Sequence, residues 1–202
     1  MISYTDAELD FVSDTITIGV NRAAAALGEL AGRQVFLSVP TLAIITAIDL
    51  VSELCATTDA VCGLFKRISQ PVESYAVLIV PKSDCDLLVR HMVPGYLEGG
   101  DPAQNSADAL LEIGNILIGA CFGAIADIFG VAFDLDQPVV PVEHPSEFFL
   151  ASIMVDDRCD YILDIRIDMA ISGTPAGLTW EFLLPDTTFA FLKQHMPPGR
   201  IV

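Results

Sequence analysis

Residues 77–95 read VLIVPKSDCDLLVRHMVPG, and residues 182–199 read FLLPDTTFAFLKQHMPPG. Aligned on Pro81 and Pro185, His91 and His195, Met92 and Met196, Pro94 and Pro198, and Gly95 and Gly199 all fall at one offset of 104. Apolar letters coincide by chance, but uncommon ones at a constant offset point to an internal repeat. Each copy reads as a strand stopped by proline, a short helix and a proline–glycine exit.

Upstream the copies agree at an offset of 98: Asp10 with Asp108, Ile18 with Ile116, Ala26 with Ala124, Gly32 with Gly130, Leu37 with Leu135 and Pro40 with Pro138. The change of offset predicts six extra residues in the second copy, placed in the turn SGTPAG at 172–177 between the strands YILDIRIDMAI and LTWEFLLP. Each half then reads helix, strand, turn, three strands and short helix. Short connections between strands favour antiparallel pairing. The expected fold is α+β: one domain over 1–202, a pseudo-twofold repeat of two αβ halves (1–97 and 105–202) with helices packed on a largely antiparallel sheet. The turn EGGDPAQ at 98–104 joins the halves. A half alone is marginal in size, so each is expected to use the other's strand edges.

Hydrophobic residues make up 52% of the 202, charged residues 18%, and the net charge is -17. The chain is therefore globular, and its surface repels phosphate backbones and anionic lipid, which argues against nucleic-acid or membrane partners and for a cationic one. Mean hydropathy is +0.55. The longest apolar candidate, 110–133, holds only the uncharged run 113–126 between Glu112 and Asp127, too short to cross a bilayer, so a buried helix is expected. MISYTDAELD lacks the features of a signal peptide, which predicts a cytoplasmic protein.

Five cysteines with no C-x-x-C pair read as buried thiols rather than disulfides or zinc ligands, and His91, His144 and His195 have no metal-site spacing. No metal site is expected. Gly114, Gly119 and Gly123 lie in a helical pattern with no G-K-[ST] after them, so close helix packing is expected there rather than a phosphate loop.

Within that helix lies DALLEIGNIL, residues 108–117. At 3.6 residues per turn, Asp108, Glu112 and Asn115 share one face, while Leu110, Ile113, Leu117, Cys121 and Ala124 form a core stripe. A solvated face accounts for such a trio on an arbitrary helix. Here the trio stands 22 residues before Pro138, and D-x-x-x-E-x-x-N-x22-P resembles the signature of the CheC/CheX family of response-regulator phosphatases. EIGNILIGACFGAIAD is similar to the family's central helix, and the repeat extends the resemblance over nearly the whole chain.

The resemblance implies a CheY-like receiver domain as partner and its phosphorylated aspartate as substrate. Asn115 would orient the attacking water and Glu112 would pair with the receiver's lysine. Asp108 matches a motif position without a firm role: it is a like charge one turn from Glu112, or a residue complementing the helix N-terminus. Pro138 marks a turn. The protein would need no cofactor of its own, because the receiver would bring Mg2+. In the first half the matching positions hold Asp10, Asp14, Thr17 and Pro40; Asp14 is a methylene short and Thr17 lacks the two-ended amide, so that site is read as degenerate. A CheD-type deamidase is a second partner the family suggests, and monomer and homodimer both stay open. The alternative is a non-catalytic receiver-binding adaptor related to flagellar switch proteins. Against it, the chain ends at Val202 soon after the second repeat closes, leaving no length for the assembly domain those proteins append.

Overall fold

A Thr-x-x-Glu box starts the first helix. In the computed structural model, which describes residues 5–56, 61–81, 90–92, 102–137, 161–173 and 177–196, the Thr5 hydroxyl accepts from the Glu8 N–H and the Glu8 carboxylate accepts from the Thr5 N–H. This capping box opens α1 (Asp6–Ala31). Gly32, at φ 60°, ends it in the left-handed conformation that glycine adopts without steric cost. There follow β1 (Val35–Leu37), β2 (Thr41–Thr46), α2 (Ala47–Ala56), β3 (Val61–Gln70), β4 (Ser74–Pro81), α3 (Pro102–Phe129), β5 (Asp134–Leu135), β6 (Tyr161–Ile171), β7 (Gly177–Pro185) and α4 (Asp186–Gln194).

The strands form one antiparallel sheet in the order β1-β6-β7-β4-β3-β5, with β2 also on β6. The fold is α+β, a curled antiparallel sheet with helices packed on it. Alternation along β6 sends Leu163, Ile165, Ile167, Met169 and Ile171 to one face, where they meet the buried residues of α1, α3 and α4 in the main core. The other face carries a smaller cluster with Ala47 and Leu50 of α2.

At the middle of the sheet Leu78 pairs directly with Phe182, 104 residues on. Leu135 pairs with Ile68, and Leu37, 98 residues before Leu135, pairs with Met169. In strand register Met169 of β6 and Ile68 of β3 thus stand 101 residues apart.

Three expectations change. The helix α2 was not expected; its signal is Thr46-x-x-Asp49, where the Thr46 hydroxyl accepts from the Asp49 N–H at 3.0 Å and donates to its carboxylate at 2.7 Å. Pro102, read as part of the joining turn, is the first residue of α3, a position where a missing N–H costs nothing. Of the three glycines read as packing contacts, Gly114 is the one that meets a neighbour closely among the described residues, and that neighbour is on a strand. A Cβ on Gly119 or Gly123 would meet nothing within 4 Å among the described residues. The close approach lies instead at Gly19 of α1, where a Cβ would stand 2.5 Å from the Cys121 Cα of α3. Pro138, His144 and the strands expected before Tyr161 lie outside the described residues.

By length and composition α3 could cross a membrane over Ala107–Phe129. Its apolar stripe, Leu110, Ile113, Leu117, Ile118, Cys121, Phe122 and Ile125, is buried in the main core, which accounts for the hydropathy. Burial pushes the Cys121 thiol up to about 12, so it is an inert packing group.

Asp164 of β6 is buried on the α2 side. Its Oδ2 accepts from Arg166 Nε at 2.9 Å, while Oδ1 has no hydrogen-bond partner among the described residues. Burial raises its pKa more than Arg166 lowers it. A carboxyl raised in the folded state favours folding below its unfolded pKa and loses that contribution as pH rises through the folded value. Arg166 is itself partly exposed and also reaches Glu53, so losing the charge at 164 leaves no stranded cation. Asp164→Asn is therefore expected to stabilise the fold by about 1 kcal/mol at neutral pH. The gain should shrink as the pH approaches about 4, read from denaturant melts across that range.

Candidate functional site

Asparagine, glutamate and aspartate reach one face of α3 because the opposite stripe must be buried. Asp108 and Glu112 are exposed and Asn115 is half-buried. The turn that carries Asn115 lies very close to the sheet. Its neighbour Gly114 is buried, and a Cβ there would stand 2.6 Å from Leu64 Cδ1 of β3.

That approach brings Asn115 to a residue the sequence reading passed over. Lys66 lies two residues from Leu64 on the same face of β3, and its Nζ donates to Asn115 Oδ1 at 2.7 Å. Lys66 is only 8% exposed, an unusual position for a lysine. Burial pushes its ammonium below the usual lysine range. Alternation was the available signal: in LFKRI, Leu64, Lys66 and Ile68 must share a face, and the two leucine-like neighbours make it the core face. A lysine placed there needs an oxygen partner.

Asp10, Asp14 and Thr17 stand on α1, the first two exposed. The Thr17 hydroxyl donates to the Ser13 carbonyl at 2.8 Å, so it is turned back into its own helix. Pro40 is buried in the link between β1 and β2. His195 caps α4, its Nδ1 2.9 Å from the Phe191 carbonyl oxygen and its ring stacked on Phe191. Among the described residues no three histidine, cysteine, aspartate or glutamate side chains form a group that could hold a metal ion.

A buried cation thus grips a carboxamide beside an exposed carboxylate one turn away. No protein-family model matches the chain. The CheY-P phosphatase CheC of Bacillus subtilis (strain 168) is 25% identical over 126 residues, which span 61% of this chain and 60% of that protein. The chain is similar to CheC over that stretch and spans about 60% of that protein's length. The CheC-like fold recurs in FliY of Thermotoga maritima, with a TM-score of 0.79 at 17% identity over 96% of this chain and 98% of that one. It recurs also in the FliM middle domain of H. pylori, with a TM-score of 0.70 at 9% identity over 96% and 100% of the two chains. CheX of Desulfovibrio desulfuricans gives a TM-score of 0.54 at 16% identity over 85% and 99%. These likenesses show a shared fold.

Proposed function

We propose that the chain is a phosphatase for the aspartyl phosphate of a CheY-like receiver domain, with Asn115 orienting the attacking water and Glu112 pairing with the receiver's lysine. The observation that carries this is the pair itself: a carboxamide held from behind by Lys66, one turn from an exposed carboxylate on the same helix face. An acyl phosphate is already activated, so hydrolysis needs a placed water and managed charge more than a strong base. An amide does not titrate, and it offers donor and acceptor together. The receiver supplies the magnesium ion. Asp108 and Glu112 are exposed carboxylates, and the oxygen of Asn115 already faces an ammonium, so this donor set favours a cationic protein surface over a resident ion.

We also read the chain as two related halves about a pseudo-twofold axis near Leu78 and Phe182. Gly32 and Gly130 close α1 and α3 with the same bond, Arg33 N–H to the Gly28 carbonyl and Val131 N–H to the Ala126 carbonyl, each 3.2 Å. The axis relates Asn115 to Thr17 and, by strand register, Lys66 to Ile167. At the α1 position, then, a methyl-bearing hydroxyl bonded into its helix and an isoleucine from β6 stand where the α3 position has an amide and a lysine from β3. One competent site is the reading.

The test is phosphate release from receivers of the same organism, phosphorylated by a small acyl-phosphate donor, with the protein substoichiometric. Multiple turnovers support the reading; binding with no acceleration makes the protein a receiver-binding adaptor, the role that fits its likeness to FliM. Glu112→Ala is expected to raise the KM for the phosphorylated receiver about tenfold, the value of one charge-assisted pair at an interface. Competition by unphosphorylated receiver checks that binding is what was lost.

A further inference from the structure

Lys66 is buried on the main-core side of β3, and among the described residues its ammonium bonds one oxygen of one side chain, Asn115 Oδ1 at 2.7 Å. Burying a lysine is costly, and a methionine of similar length would fill the same space without that cost. The fold alone gives no reason for the charge.

The chemistry of the contact gives one. An ammonium has three donors and no acceptor, so only the oxygen end of the Asn115 amide can face it. The Nδ2 end must then point away from the sheet, and the amide cannot flip. One lone pair of Oδ1 stays available beside the two Nδ2 hydrogens, and the adjacent cation polarises the amide so that those hydrogens become better donors. A half-buried asparagine without such a partner rotates broadly about its last torsion. The related position on α1, where the amide is replaced by Thr17, faces Ile167 of β6 in place of the lysine by strand register. The cation stands where the amide does.

We propose that Lys66 is a positioning residue for phosphate release, acting through Asn115 by fixing which end of its amide faces the incoming water and phosphoryl group. The inference rests on the phosphatase reading of the same site. It assigns Lys66 no contact with the substrate.

The test is a double-mutant cycle on the full chain with the phosphorylated receiver: wild type, Lys66→Met, Asn115→Ala and the double variant, each with kcat, KM and a thermal melt. Lys66→Met is expected to lower kcat about tenfold with KM within about twofold, the signature of a lost orientation rather than lost binding. Its melting temperature should hold or rise. In the Asn115→Ala background the same change should have no further effect, because a residue that acts through the amide has nothing left to act on. Lys66→Arg, which restores a donor and a charge, should recover most of kcat. Lys66→Gln, too short to reach the amide, should fall with Lys66→Met and gives the same reading if methionine prevents folding. Full kcat in Lys66→Met and Lys66→Gln, with Asn115→Ala inactive, would overturn the positioning role and leave the phosphatase reading standing. Multiplying effects in the double variant would overturn it too, since Lys66 would then act independently. Absence of wild-type turnover overturns both.

Discussion

Asn115→Ala is expected to lower kcat for phosphate release about 100-fold, close to 2.7 kcal/mol of transition-state stabilisation. KM for the phosphorylated receiver should change by less than about threefold, because the docking charge at Glu112 is untouched. The size follows from what the amide does. Water attacking phosphorus must lie in line with the leaving carboxylate oxygen, and displacement of a reacting group by an ångström costs about two orders of magnitude. Alanine removes both ends of the amide and leaves the ammonium of Lys66 facing the cavity, where it gains no catalytic contact. What remains is the acceleration that docking through Glu112 still gives, above the hydrolysis the receiver performs unaided. Stopped-flow phosphate detection on wild type and variant, with receiver binding titrated separately, checks the prediction. A variant with the wild-type kcat would remove the amide from the chemistry, and a variant that no longer binds would make Asn115 a docking residue.

Much of the fold could be read from the sequence because proline marks where strands end. Pro81 and Pro185 are the last residues of β4 and β7, and Asp186–Gln194 is the short helix expected after the second of them. The long β6 matches its expected span, since alternation in YILDIRIDMAI leaves only one face for the core. What escaped were features that depend on how far two elements approach. Gly19 carries no local mark that distinguishes it from the freely spaced Gly119, yet only Gly19 sits at a helix crossing. Lys66 escaped for a related reason. Its inward position was written in the strand pattern, but the oxygen that meets it lies 49 residues away on α3, and no spacing rule connects a strand lysine to a helix asparagine. The trio on α3 was legible as a face; its grip from behind was not.

The largest effect on stability is expected at that helix crossing. The helices α1 and α3 pack on one another, with Phe11 and Phe129 in ring contact at 5.5 Å and Arg22 paired with Asp127 at 2.7 Å. The ion pair is between exposed groups and adds little. The close fit comes from Gly19, where an added Cβ would lie 2.5 Å from Cys121 Cα, 2.9 Å from the Ala120 carbonyl oxygen and 3.0 Å from the Cys121 nitrogen. All three are backbone atoms, so no rotamer change relieves the clash and the helices must separate. Alanine would otherwise help a helix by up to about 1 kcal/mol over glycine. Overpacking against backbone outweighs that, and Gly19→Ala is expected to destabilise the protein by about 3 kcal/mol. For a chain of this size the melting temperature should fall by roughly 6–12 °C. Gly119→Ala is the matched control, because its Cβ meets nothing within 4 Å among the described residues; it should raise stability by about 0.5–1 kcal/mol. Opposite signs for one substitution at two helical glycines would locate the tight crossing. Because that crossing seats α3 over β3, Gly19→Ala should also slow phosphate release at temperatures where the protein remains folded, by moving Asn115 away from Lys66.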